Sequence, residues 1–258
     1  MLSIVLATHN EEANLGRCLG SIQRLADEIV VVDGESTDQT VSIAKSLGAK
    51  VFSTTNKSNF HINKQLAMDT ASGDLVLQLD ADEVLDPELQ AFIASVHQTV
   101  NSGQTPKKSA WYLKRKNYFL GRFLSKGGQY PDPVIRLYLK GKAYLPQKNV
   151  HEQMTVDGVV GTAEGHLLHY PYPNFSSYMR KFNTYTSFEA ERLTGTHFRH
   201  EFSKALLYFV VKPATSFFSI FVRHKGLVDG MAGFIFALMS SLHHPFVYLK
   251  TLEMKERA

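Results

Sequence analysis

The stretch Val76–Asp86 reads VLQLDADEVLD, and it joins an apolar run to a cluster of carboxylates. The first residues have the composition of a buried strand, and Asp80, Asp82 and Glu83 follow where that strand would end. Carboxylates this close together repel one another, so a cation or a basic side chain is expected among them. The stretch therefore predicts a charged site at the end of a buried strand.

Strand-like runs alternate with helical segments over the first 100 residues. SIVLAT at 3–8, EIVVVD at 28–33 and a shorter run at 51–52 precede the strand at 75–79. Apolar residues at helical spacing lie between these runs, and Pro87 suits the first residue of a further helix. The alternation predicts an α/β fold with a mostly parallel sheet flanked by helices, which binds ligands at the carboxyl ends of its strands.

The second helical segment carries its own start and stop signals. Ser36, with Gln39 three residues later, predicts a capping box at the start of this helix. Gly48 predicts its end.

Charge is distributed unevenly along the chain. Residues 1–100 hold 14 Asp and Glu against 6 Lys and Arg, whereas residues 101–148 hold 11 Lys and Arg and one acid, Asp132. The basic segment predicts an anionic partner, such as phosphates, acidic sugars or a lipid surface, although a solvated basic face is the alternative. No nucleic-acid-binding motif accompanies the charge, so a nucleic-acid partner is not expected.

Cysteine content and the N-terminus favour a cytoplasmic protein. Cys18 is the only cysteine, which excludes an intrachain disulfide. The N-terminal sequence has no basic segment followed by a cleavable apolar stretch, so secretion is not expected.

Two apolar segments lie near the C-terminus, at 205–222 and 231–249. Lys212-Pro213 and His243-His244-Pro245 are predicted to interrupt them, and basic residues flank them. We therefore expect helices that lie in a membrane interface beside anionic lipid rather than spanning helices. A helical pair packed on the domain or on a second subunit is the alternative.

The acidic cluster suits a hard divalent cation. Mg²⁺ or Mn²⁺ takes oxygen ligands and often needs only one or two carboxylates when a substrate diphosphate supplies the others. Neither the GxGxxG dinucleotide fingerprint nor the GxxxxGK[ST] phosphate loop is present, so the metal and side chains would have to hold the phosphates.

Four motifs in order resemble glycosyltransferase family 2, the inverting nucleotide-sugar enzymes of GT-A fold. They are SIVLATHNEEANL, IVVVDGESTDQT, the helix that contains Lys64, and GDLVLQLDADEVL. NYFLGRFL, GGQYPDPVIRLY, VHE and GLVDGMAGF are similar to the lipopolysaccharide-core β-1,4-glucosyltransferase branch of that family.

The resemblance implies a donor half at 1–104, an acceptor half at 105–200 and membrane-associated helices at 201–258. It implies a role in nucleotide-sugar binding for six residues, which are Thr8, Asn10, Glu11, Asp33, Lys64 and Asp80. Asp33 would bind the base, and Asp82 would be the direct metal ligand, with Asp80 nearer the ribose or behind the metal. Ala7-Thr8-His9 stands where the family often has Pro-x-Tyr, so stacking on the base is replaced by His9 or absent.

The same resemblance implies Glu152 as the general base of an inverting transfer, with Asp132 as its rival. His151, Arg136 and Arg115 are candidates for binding acceptor phosphates.

The expected function is transfer of a hexose, glucose being the expected sugar, from a UDP-sugar to an anionic glycolipid such as lipopolysaccharide core. The enzyme would work at the cytoplasmic face of the inner membrane. A polyprenyl phosphate or a lipid-linked oligosaccharide is the alternative acceptor. More distant alternatives are a haloacid-dehalogenase phosphatase, because DADEV also fits its DxDx[TV] motif, and a nucleotide-sugar binder without catalysis.

Overall fold

The computed structural model describes residues 1–57, 59–147, 153–194 and 202–256. The chain forms two compact units. The first contains Met1–Arg115 and Asp132–His169, and the second contains Lys116–Pro131 and Tyr170–Ala258. The functional division at residues 104 and 200 stays a prediction.

A central sheet organises the first unit, with strand order β3-β2-β1-β4-β8-β6-β11-β5. Its strands are β1 (Leu2–Thr8), β2 (Glu28–Asp33), β3 (Lys50–Ser53), β4 (Leu75–Leu79), β5 (Glu83–Leu85), β6 (Ala110–Phe119), β8 (Asp132–Leu139) and β11 (Val160–His169). The short β7 (Arg122–Phe123) pairs with β6, and β9 (Ala143–Tyr144) pairs with β10 (Thr155–Val156).

The sheet has a parallel part and an antiparallel part. Strands β1, β2, β3 and β4 pair in parallel, as their continuous apolar runs predict. The pairs β4–β8, β6–β8 and β11–β5 are antiparallel. The antiparallel strands therefore bring side chains from late in the sequence to the carboxyl end of β4.

Helices of the first unit alternate with its early strands. They are α1 (Glu12–Gly20), α2 (Thr40–Ser46), α3 (Phe60–Thr70) and α4 (Pro87–Asn101). Leu15 and Leu19 of α1 and Leu89 and Ile93 of α4 are fully buried in one cluster with side chains of β1 and β4. Because helices cover both faces of β1 and β4, every residue of β4 is buried.

The capping box predicted at Ser36 is wrong. Helix α2 begins at Thr40, with Gln39 as the residue before it. The Ser36 hydroxyl instead donates to the Asp33 carboxylate, at 2.6 Å. The loop after β2 therefore uses its serine to hold an acidic side chain rather than a helix terminus. Gly48 ends this segment in the left-handed region, as predicted, with φ 83°.

The second unit is mainly helical. It contains α5 (Phe175–Thr194), α6 (Phe202–Leu206), α7 (Lys212–Phe218) and α8 (Gly230–Glu256), with short π-helical turns at Leu207–Val211 and Ser219–Arg223 and a 3-10 turn at Gly226–Asp229. Strand β7 and the rings of Phe119, Tyr178 and Phe182 also belong to this unit. Helix α8 packs on α5 and on α7.

The predicted interruptions at the two prolines are wrong. The helical backbone continues from Phe202 to Arg223 across Pro213, which occupies the first turn of α7 directly after a π-helical turn. Val211, before this turn, keeps helical dihedral angles, φ −67° and ψ −53°, so the proline does not end the helix. Pro245 lies inside α8, and the helix continues past it.

Within the described ranges, Phe202–Arg223 and Gly226–Glu256 are long and apolar enough to cross a membrane by length and composition. In the most apolar part of the first stretch 6% is buried, against 33% in the second.

Candidate functional site

The carboxyl ends of β1 and β2 carry a buried polar pair. Thr8 and Asp33 face each other in the parallel register and are 4% and 2% exposed. The Asp33 carboxylate accepts hydrogen bonds from the Thr8 hydroxyl at 3.0 Å and from the Ser36 backbone N–H at 2.9 Å. With the Ser36 hydroxyl it has three donors, and a carboxylate can accept about four, so Asp33 keeps capacity for a ligand.

The loop after β1 is held against the loop after β2. Asn10 has a left-handed backbone, φ 55°, and its amide oxygen accepts from the Thr37 N–H at 2.8 Å. The Glu11 N–H donates to the Thr40 hydroxyl at 2.7 Å, which places Glu11 at the start of α1 beside α2. His9 Nδ1 lies 2.7 Å from the Gly34 carbonyl oxygen. The structure thus brings the predicted residues Thr8, Asn10, Glu11 and Asp33 to one edge of the sheet.

Two basic side chains contact the Asp80 carboxylate at the end of β4. Lys64 Nζ of α3 lies 2.5 Å from Asp80 Oδ1, and an Arg136 guanidinium nitrogen of β8 lies 2.6 Å from Asp80 Oδ2. Arg136 also donates to the Gln78 side-chain oxygen. Lys64 and Arg136 are each 11% exposed. Both oxygens of Asp80 are therefore engaged by basic side chains.

These contacts change the ionisation of Asp80 and Arg136. Burial alone would raise the pKa of the Asp80 carboxyl, but the charges of Arg136 and Lys64 hold that pKa well below its usual range. Burial alone would lower the pKa of Arg136, but Asp80 and Glu83 raise it above its usual value. Asp80 and Arg136 therefore both stay charged at physiological pH.

Glu83 completes this group, although the sequence suggested no role for it beyond membership of the acidic cluster. Its side chain is fully buried, accepting from the Asp80 N–H at 2.9 Å and from Arg136 at 3.0 Å. Arg115 lies 3.5 Å from the same carboxylate. The signal that was available is the density of acids in DADE, because neighbouring carboxylates require a cation or basic side chains nearby.

Asp132, the rival candidate for the base, is paired with Arg115. The Arg115 Nε and a terminal nitrogen lie 2.9 and 2.7 Å from one Asp132 oxygen. The predicted acceptor residues Arg115 and Arg136 thus both contact carboxylates of this unit.

Asp82 faces a histidine from the last strand of the unit. Asp82 Oδ2 lies 3.4 Å from His169 Nε2 of β11, and both side chains are partly exposed. By charge count, Lys64 and Arg136 offset Asp80 and Glu83, which leaves Asp82 as an additional carboxylate. Two ligand atoms at right angles around an ion, each about 2.1 Å from it, are about 3 Å apart. The pair therefore fits a divalent cation in both chemistry and spacing.

A second group of possible ligands lies at the start of α4. Ligand atoms of Asp86, Glu88 and His166 lie within 4.8 Å of one another. Asp86, however, caps α4 through the Leu89 N–H at 2.8 Å and contacts His166 Nδ1 at 2.9 Å. These contacts give the Asp86 carboxylate a structural role there.

Glu152 and His151, the predicted base and its neighbour, lie outside the described residues.

Sequence comparison decides the family. The sequence model described as Glycosyl transferase family 2 matches residues 3–141. The chain belongs to glycosyltransferase family 2. Membership and the sheet order confirm both the predicted resemblance and the predicted GT-A fold. A haloacid-dehalogenase phosphatase is thereby excluded for the DADE segment, which lies inside the matched range.

Curated relatives of this family 2 glycosyltransferase include two long matches. The uncharacterized glycosyltransferase RT0209 of Rickettsia typhi is 32% identical over 203 residues, covering 74% of this chain and 68% of the relative. The lipopolysaccharide core biosynthesis glycosyltransferase LpsC of Rhizobium meliloti is 29% identical over 253 residues, covering 94% of this chain and 88% of LpsC.

Solved structures similar to this chain include two with bound nucleotide sugar. S. aureus TarS 1-349 in complex with UDP-GlcNAc is 15% identical, with TM-score 0.49, over 98% of this chain and 88% of that chain. Glucosyl-3-phosphoglycerate synthase from Mycobacterium tuberculosis, in complex with Mn²⁺, UDP-glucose and phosphoglyceric acid, is 25% identical, with TM-score 0.35, over 47% of this chain and 44% of that chain.

Proposed function

We propose that this family 2 glycosyltransferase moves a hexose from a UDP-sugar to an anionic glycolipid, with inversion at the anomeric carbon. The observation that carries the proposal is the grouping of Lys64, Asp80, Arg136 and Asp82 at the edge of the sheet where β1 and β2 also end. Ligands of open α/β sheets bind at this edge. A nucleotide diphosphate sugar matches a site that offers cations, carboxylates and a buried hydrogen-bond acceptor together.

The donor would lie across the ends of β2, β1 and β4. Asp33 has capacity for one more hydrogen bond, so it would accept from the base, with Thr8 and Ser36 fixing its orientation. Asn10 and Glu11 form the loop on the same side. Lys64 is close enough to Asp80 to hold that carboxylate in place while presenting positive charge to the phosphates.

A divalent cation would be held by Asp82 and His169, with Asp80 behind them. Mg²⁺ or Mn²⁺ bound there would supply positive charge next to the leaving diphosphate. Side chains of this protein fix the shape of the site. Arg136 and Glu83 keep the turn from Asp80 to Asp82 in one conformation, because Glu83 accepts from the Asp80 N–H and from Arg136 simultaneously.

Inversion needs a carboxylate that removes the proton of the acceptor hydroxyl as that oxygen attacks the anomeric carbon. We propose Glu152 for this step, with His151 beside it. Asp132 is less suited because its carboxylate already accepts two hydrogen bonds from Arg115. The bond to the diphosphate breaks as the new glycosidic bond forms on the opposite face.

The acceptor proposal rests on sequence similarity and charge. LpsC is named a lipopolysaccharide core biosynthesis glycosyltransferase and aligns with 94% of this chain. The basic segment 101–148 adds positive charge that suits phosphorylated core sugars. A polyprenyl phosphate would satisfy the same charge, so both acceptors belong in one assay.

Metal-dependent donor hydrolysis tests the donor and the reaction class. UDP-, GDP- and dTDP-hexoses are incubated with the full chain, with and without Mn²⁺ or Mg²⁺, and release of the nucleotide is measured. We expect hydrolysis of a UDP-hexose only with metal, and its loss in Asp82→Asn. Asp74→Asn is the matched control, because this exposed aspartate precedes β4 at the opposite end of the strand. Hydrolysis that is independent of metal, or retained in Asp82→Asn, contradicts the proposal.

Transfer to an acceptor tests the proposed acceptor and the proposed role of Glu152. Truncated lipopolysaccharide and a polyprenyl phosphate are each offered with the donor that the first assay identifies. Glu152→Gln is expected to lower transfer by a factor of about 10² to 10⁴ while leaving UDP binding unchanged, as loss of a general base does. An equal loss of binding and transfer would place the base elsewhere.

A further inference from the structure

The second unit exposes an unusual amount of apolar surface on one segment, which we name the C-terminal hairpin. It consists of the helical stretch Phe202–Arg223, the turn that follows it and α8 to residue 249. Phe202, Phe218 and Met231 are 86%, 62% and 71% exposed. Further exposed side chains are Leu206, Phe209, Val210, Val211, Val222, Leu227 and Val228.

Helix α8 separates its apolar residues into two faces. Ala232, Ala237, Val247 and Tyr248 are buried within the unit. Five large side chains recur three, four or eight positions apart on the exposed side, namely Met231, Phe234, Leu238, Phe246 and Leu249. This spacing forms one continuous apolar stripe along the helix. Water is a poor solvent for such a stripe, so it requires an apolar partner.

The turn of the hairpin is fixed to a polar loop of the same unit. Asp229 is 1% exposed and accepts hydrogen bonds from the Ser125 hydroxyl at 2.7 Å and the Lys126 N–H at 2.8 Å. The Gly127 N–H donates to the His224 carbonyl oxygen at 2.9 Å. The turn therefore cannot enter a bilayer without this loop.

That loop and turn carry several charges. Arg223, Lys225 and Lys126 are exposed, and Arg122 is 48% exposed. Each Arg or Lys placed at the centre of a bilayer costs about 2.5 to 3.5 kcal/mol. Passage of this end through the hydrocarbon core is therefore strongly unfavourable, although each helical stretch is long enough to span.

We propose that the C-terminal hairpin lies parallel to an anionic membrane surface, with its apolar stripe in the acyl region and its basic side chains among the headgroups. Residues 202–249 contain four Lys and Arg but a single acid, Asp229, and that acid is buried. Lys212 lies with its Nζ 3.6 Å from the centroid of the Tyr208 ring, which shields its charge beside apolar neighbours. Amphipathic segments with this composition bind at the interface of anionic bilayers.

Vesicle sedimentation tests the surface without any sugar donor, so its failure leaves the proposed reaction untouched. The full chain is mixed with vesicles of phosphatidylcholine alone or with phosphatidylglycerol added. We expect binding to the anionic vesicles, and about tenfold or greater weakening in Met231→Asp and in Leu238→Asp, because each buries a large apolar side chain on binding. Val159→Asp is the matched control, since Val159 is 56% exposed in the first unit.

A second copy of this chain is the competing partner. Sedimentation velocity is run on the same variants without lipid. A wild-type dimer that Met231→Asp converts to a monomer, with vesicle binding unchanged, overturns the proposal. Equal weakening by Val159→Asp also overturns it.

Labelling of the turn distinguishes a flat hairpin from a spanning one. His224→Cys places a thiol at the exposed turn, and Cys18 is buried, so the native chain gives the background. A membrane-impermeant maleimide added outside sealed vesicles should label His224→Cys equally before and after detergent. Labelling that requires detergent would show that the turn has crossed the bilayer and would overturn the flat arrangement.

Discussion

Replacement of Glu83 by glutamine probes the charged group at the end of β4. The carboxylate serves two donors on different oxygens, since Oε2 accepts from the Asp80 N–H and Oε1 from Arg136. An amide of the same shape has one acceptor oxygen and one N–H₂ group. Whichever way it turns, Glu83→Gln directs a donor at a donor and removes the charge that faces Arg136 and Arg115.

The size of the effect follows from these contacts. Loss of one hydrogen bond to a charged group costs about 1.5 to 3 kcal/mol, and breaking a fully buried ion pair costs about 3 to 5 kcal/mol. Arg136 keeps Asp80 as a partner in the variant, so the whole penalty of an unpaired buried charge does not apply. We expect the free energy of unfolding to fall by about 2 to 4 kcal/mol.

Urea unfolding followed by tryptophan fluorescence measures this loss directly. Trp111 is the single tryptophan and is 5% exposed in the core of the first unit, so it reports on the unit that contains Glu83. The midpoint should fall by about 1 M or more, given typical urea dependences. Glu164→Gln is the matched control, an exposed glutamate of β11 for which a change within about 0.5 kcal/mol is expected. Equal midpoints for the two variants would refute the role given to Glu83.

Three further predictions concern the framework of both units. Burial alone would raise the pKa of Glu28, but hydrogen bonds, first among them that of Lys50, lower it from 4.5 to about 2. The ionised Glu28 therefore stabilises the folded state by about 3 kcal/mol at neutral pH. This contribution is complete above about pH 5 and is lost as the pH falls towards 2. Acid titration of the unfolding free energy checks this, and Glu28→Gln should flatten that part of the curve. Asp229→Leu should lower the stability of the second unit by about 3 kcal/mol and make the turn of the hairpin more sensitive to limited proteolysis, because Ser125 and Lys126 lose their acceptor. Unchanged cleavage would contradict the role given to Asp229. Gly165→Ala should destabilise the first unit by more than about 1 kcal/mol in thermal unfolding, because φ is +77° and the added Cβ would lie 2.2 Å from the Leu89 nitrogen; an unchanged midpoint would contradict it.

Local patterns in the sequence were sufficient for the parallel part of the fold. The strand at 75–79 and the helix start at Pro87 occur where the sequence predicts them. The antiparallel strands β5 and β11 were not predicted. The first has three residues, and the second carries exposed Glu164 and intermediate positions that weaken its apolar alternation. Such strands are stabilised by their partners in the sheet more than by their own composition.

The sequence by itself determined that acidic side chains lie at the carboxyl ends of buried parallel strands, because continuous apolar runs and the residues that follow them are local features. Only the tertiary structure decided which cations meet them. Arg136 reaches Gln78 and Asp80 because β8 runs antiparallel to β4 with Leu137 opposite Leu77, and His169 reaches Asp82 because β11 pairs with β5. Strand register fixes these partners across more than 50 residues of chain, and no local pattern encodes that register.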